Sequence, residues 1–93
     1  MKRRPLKTKL GGNEFVIRFT SKLHGTVHGE CDQEGGIIRI NSATPNDQVP
    51  EIVIHECLHA IFPFLDEDCV DSAAIELAKV LFKLGLINTP DEI

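Results

Sequence analysis

Residues 51–62 read EIVIHECLHAIF, and the fold of the chain turns on this stretch. Read as a helix, it places Ile, Val, Leu, Cys or Ala on nearly every face, so it must be buried on most sides and needs structure packed around it. Pro50 occupies the first turn, where a missing N–H costs nothing, Asn46 or Asp47 is a candidate cap, and Pro63 stops the helix. Downstream, a second helix is expected from Asp66, a good N-cap, with Glu67, Asp68 and Asp71 suiting the positive end of the helix dipole. Its stripe of Val70, Ala73, Ala74, Leu77, Leu81 and Leu84 reads as core, Glu76 can pair with Lys79, Lys79 and Lys83 suit the carboxyl end, and Gly85 is the expected stop.

Upstream the pattern changes to short β-branched and aromatic runs. Residues 13–20 (NEFVIRFT) and 37–40 (IIRI) suit half-buried strands, and a weaker strand is expected over 26–31. Gly35 and Gly36 can take positive φ and close a hairpin between the last two. The expectation is an α+β fold, a small antiparallel sheet of about three strands followed by two helices. Residues 13–88 then form one domain, with a basic flexible tail over 1–12 and a short tail over 89–93.

The chain has 93 residues, 42% of them hydrophobic, enough for one core and too few for a multidomain enzyme. No apolar run reaches the roughly 20 residues of a membrane-spanning helix, and the basic start leads into Leu10-Gly11-Gly12 rather than the apolar stretch of a signal peptide. Three widely spaced cysteines, Cys31, Cys57 and Cys69, read as reduced thiols, and a cytosolic setting is expected. Five of the ten basic residues fall within the first nine positions, and the rest of the chain carries five basic against fourteen acidic side chains. An acidic body is unsuited to phosphate contacts, so no nucleic acid is expected on the folded core and no membrane contact either. The number of copies in the working protein stays open.

His55-Glu56-Cys57-Leu58-His59 is the pattern HExxH. On a helix its two histidines lie one turn apart on one face, where both imidazoles can reach a single zinc ion, and Glu56 beside the first ligand can act on a water at the metal. A third protein ligand is needed. Glu67, eight residues after His59 and just past the Pro63 turn, is the first candidate, with Asp66 and Asp68 as rivals. Asp71 shares a helical face with Glu67 and can accept the free N–H of a ligating histidine. Two histidines and a carboxylate suit Zn2+ best, though other divalent first-row metals fit the same donors. Cys57, two residues from His55, points away from the metal face and reads as a small buried apolar side chain.

These residues resemble the gluzincin metallopeptidases, whose signature is HExxH followed on a later helix by a glutamate ligand, often with an acidic residue four positions beyond. His55, Glu56, His59, Glu67 and Asp71 match that pattern one by one. The span 37–86 also resembles small phage and prophage proteins of similar length, which would place the chain in the cytoplasm of a host cell. The resemblance implies a minimal zincin-like fold and peptide-bond hydrolysis, with His55, His59 and Glu67 holding the metal and Glu56 as general base. It also implies that residues 37–40 form the sheet edge along which an extended polypeptide substrate lies. The chain has no tyrosine and no histidine after His59, so the oxyanion stabiliser that larger members place downstream has only the upstream candidates His24, His28 and Arg39. The metzincin pattern does not fit, because Ala60-Ile61-Phe62-Pro63 follows His59 with neither the glycine nor the third histidine. Two alternatives share the motif: a zinc-stabilised module that binds a protein partner such as a host factor without catalysis, and a metal hydrolase with a non-peptide substrate.

Overall fold

The computed structural model describes residues 3–23 and 27–87. Four strands come first, β1 (Leu6–Leu10), β2 (Asn13–Thr20), β3 (Gly29–Asp32) and β4 (Ile37–Asn41), followed by helices α1 (Val49–Ile61) and α2 (Glu67–Lys83). The α+β class and the two closing helices are as the sequence led one to expect. The sheet is larger and differently wired. It has four strands in the order β1-β2-β4-β3, and it is mixed: β1 pairs antiparallel with β2, β3 antiparallel with β4, and β2 runs parallel to β4.

The extra strand comes from the stretch read as a flexible tail. Leu6, Thr8 and Leu10 alternate with Lys7 and Lys9, the period-two pattern of a half-buried strand, and Gly11 and Gly12 at φ of 62° and 83° close a two-residue hairpin onto β2. Arg3, ahead of it, stacks over the Phe19 ring at 4.6 Å. The expected 89–93 tail lies outside the described residues. The second hairpin forms where the paired glycines suggested, with Gly36 at φ of 65° and the Asp32 carboxylate accepting the Gly35 N–H at 2.9 Å.

Phe15, Ile17, Ile38 and Ile40 point to one side of the sheet and, with Ala60 of α1, form the core. Ile52, Val53 and Cys57 of α1 pack against that cluster. α1 is thus held between the sheet and α2, while α2 touches α1 and no strand. This layering explains why α1 is apolar on so many faces. Gln48, rather than Asn46 or Asp47, is its N-cap, because residues 45–48 first close a turn in which the Gln48 N–H bonds to the Pro45 carbonyl at 2.9 Å. Pro50 sits in the first turn, and the helix stops at Ile61.

α2 begins as expected, its Asp66 cap accepting the Cys69 N–H at 2.8 Å. It ends in a Schellman motif, with Gly85 at φ of 73° and the N–H groups of Gly85 and Leu86 bonded to the Phe82 and Leu81 carbonyls. Its apolar stripe divides. Val70, Ala74 and Ala78 are buried on α1, whereas Leu77 and Leu84, expected in the core, are 47% and 66% exposed. One neighbouring helix covers one stripe, and no second layer lies over the other among the described residues. No described helix is long and apolar enough to cross a membrane.

Candidate metal centre

His55 and His59 project from α1 toward the first turn of α2, one helical turn apart on the same face. The Pro63 break and the Asp66 cap reverse the chain within a few residues, so Glu67 opens α2 facing both rings. His55 Nε2 lies 2.8 Å from Glu67 Oε1, His59 Nε2 lies 3.1 Å from Glu67 Oε2, and the two Nε2 atoms are 3.1 Å apart. The ring centroids stand 4.8 Å apart at 66°. The short connection after His59 is therefore long enough to bring the third donor home. Among the described residues this is the group of histidine, cysteine and acidic side chains whose ligand atoms converge as a metal site requires. The rivals Asp66 and Asp68 are not in it: Asp66 spends its carboxylate on the helix cap.

The donor set fits a cation. Asp71, one turn beyond Glu67, accepts a hydrogen bond from His55 Nδ1 at 3.0 Å, an arrangement that in a neutral imidazole puts the lone pair on Nε2, aimed at the Glu67 carboxylate. Lone pairs facing each other at such distances repel unless a proton or metal ion lies between them. Two ligands held about 2.0–2.1 Å from a tetrahedral zinc stand about 3.3 Å apart. The three separations found here, 2.8, 3.1 and 3.1 Å, are close to the edges of that tetrahedron.

Glu56, adjacent to His55, is buried at 7% exposure. Burial pushes its carboxyl above the ordinary carboxylate range, Glu67 and Glu30 add to the rise, and His55 and His59 pull against it. Its neighbour across the interface is Gly29 of β3. A Cβ placed at Gly29 would stand 3.1 Å from Glu56 Cγ and 3.2 Å from Glu56 Oε2, so the missing side chain makes room for the carboxylate. The strand belongs to the site for a second reason. Gln33, in the turn after β3, donates its side-chain N–H to the His59 carbonyl and ties the hairpin to the ligand-bearing turn of α1. Neither Gly29 nor Gln33 stood out in the sequence, although a glycine inside a strand is the usual mark of a close backbone approach.

The strand beside the site is β3 rather than residues 37–40. β4 is bonded on one side to β2 and on the other to β3 and has no free edge, whereas β3 ends the sheet. The Asn41 N–H bonds to the His28 carbonyl at 2.7 Å, so by antiparallel alternation Glu30 and Asp32 also face β4, and the backbone groups of Gly29 and Cys31 point outward.

Of the upstream oxyanion candidates, Arg39 and His28 do not join this cluster. Arg39 bonds to Glu30 at 2.7 Å and alternates with Ile38 and Ile40, which places it on the sheet face opposite the helices. His28 is an exposed residue just before β3, and His24 lies outside the described residues. The three cysteines are free thiols. Cys31 and Cys57 pack against the core, and burial, followed by the charge of Glu56, pushes Cys31 up to about 11. Cys57 is raised by the same two causes. No family model matches this chain, and neither a curated protein nor a solved structure does.

Proposed function

We propose that the chain is a zinc-dependent metallopeptidase of gluzincin type that cleaves extended polypeptide. The observation that carries the reading is the convergence of His55 Nε2, His59 Nε2 and the Glu67 carboxylate at 2.8–3.1 Å beside a buried glutamate. His55, His59 and Glu67 would hold the metal. When bound there, zinc supplies a Lewis acid that polarises a carbonyl and lowers the pKa of water.

The remaining chemistry belongs to the chain. Glu56, in a dry position where its proton affinity is raised, accepts a proton from the attacking water and passes it to the departing amine. Asp71 holds the His55 ring in the tautomer that leaves Nε2 free. The outward N–H and C=O groups of Gly29 and Cys31 offer main-chain hydrogen bonds to a substrate added as a fifth strand beside β3. Such recognition makes few demands on side chains, in keeping with a chain too small to build deep pockets.

The test is zinc-loaded protein against a mixture of internally quenched peptides, wild type beside Glu56→Gln. Cleavage that falls by at least about a hundredfold in Glu56→Gln, with zinc retained, supports the peptidase. Zinc retained in both with no cleavage by either overturns catalysis and leaves a zinc-stabilised binding module.

A further inference from the structure

The exposed apolar face of α2 has a pattern of its own. Ala73, Leu77, Val80 and Leu84 follow one another at spacings of four, three and four, the seam of a two-helix coil. Leu77, Val80 and Leu84 are 47%, 49% and 66% exposed. At about 100° per residue this seam is turned roughly a quarter of the way around the helix from the α1-facing stripe of Val70, Ala74 and Ala78. It therefore leaves Glu67 and Asp71 facing α1. Scattered exposed leucines are ordinary, but four aligned apolar positions on a helix that packs on one neighbour are not.

Charge along the same helix identifies what covers them. The first half of α2 carries Glu67, Asp68 and Asp71, and the second half carries Lys79 and Lys83 with Glu76 just past the midpoint. We propose that α2 pairs antiparallel with α2 of a second copy of this chain, related by a twofold axis. In that register Leu77 meets Val80 of the second copy, Ala73 meets Leu84, and Glu76 on the flank of the seam faces Lys83 of the other chain, twice over. The face is complementary to itself in shape pattern, in charge and in helix dipole. A parallel pairing would set acidic half against acidic half. Among the described residues neither Glu76 nor Lys83 has an ion-pair partner within its own chain.

The 93-residue chain is tested by sedimentation equilibrium, with circular dichroism to verify that each variant keeps its helices. Wild type is expected at twice the 10.3 kDa of one chain. Val80→Glu, at an exposed position, raises the dimer dissociation constant by at least about a hundredfold. Glu76→Lys and Lys83→Glu each weaken the homodimer about tenfold, and an equimolar mixture of the two forms a heterodimer tighter than either, because both flanking pairs are again of opposite sign. A wild type that remains at 10.3 kDa up to about 1 mM overturns the proposal. So does a dimer indifferent to Val80→Glu, or a mixture with no preference for the heterodimer.

Discussion

The two helices meet along one interface and live in different surroundings. α1 lies between the sheet and α2, and its chemical side chains are largely shielded: His55 and His59 are 15% and 21% exposed, and Glu56 is buried. α2 contributes the carboxylates from the solvent side, with Glu67 and Asp71 at 63% and 55%. The site is thus assembled from a fixed half and a free half. The histidines are held by the packing of α1 on the sheet, so their separation is preset. The carboxylates depend on α2, which rests on α1 through Val70, Ala74 and Ala78 and on its own cap. A cation between the halves would stabilise the outer one more than the inner one.

The sharpest way to break this division is to damage the fixed half. Ile38, wholly buried in the sheet core, supports α1 from beneath, and Ile38→Ala should cost about 2–5 kcal/mol in chemical denaturation and weaken metal binding with it. The free half should respond differently. Asp71→Asn keeps the fold and the histidines but gives up the charged acceptor of His55 Nδ1, so zinc affinity should fall about 10–100-fold in a competition titration with little change in melting temperature. A loss of stability as large as that of Ile38→Ala would erase the distinction.

The smallest effect is expected at the start of α2. The Cys69 N–H bonded to Asp66 holds that carboxyl below its ordinary value. A group whose folded pKa is depressed stabilises the fold above its unfolded value, about 3.9, and that contribution is lost as pH falls through the lower folded value. Wild type should therefore show fraying of α2 on the acid side of pH 4, read by amide exchange in its first turns. Asp66→Ala should show the fraying at neutral pH, with the sheet amides unchanged.

Much of this arrangement was legible because it is written locally. HExxH on an apolar helix, the Asp66 cap, the Gly85 stop and the hairpin at Gly35-Gly36 each depend on neighbours a few residues away, and each occurs where the sequence puts it. Apart from β1, the parts that escaped are non-local. β1 alternates as a strand does and Gly11-Gly12 is a hairpin signal, but three basic residues before the strand and two within it give the stretch the composition of a solvated tail. That β2 lies beside β4 and leaves β3 at the edge follows from a crossover that no periodicity reports. For the same reason periodicity marks residues 37–40 as a strand without showing that two neighbours enclose it, and marks the face of Leu77 and Leu84 as apolar without showing what covers it.

The most direct measurement is zinc content by mass spectrometry on tag-free protein, wild type beside His59→Ala and Glu67→Ala. One zinc per wild-type chain, lost in both variants, is the expected result, because each variant removes one donor from a three-donor set divided between the two helices. A wild type that takes up no zinc even when it is supplied, or a Glu67→Ala variant that keeps it, would contradict a metal centre shared between α1 and α2.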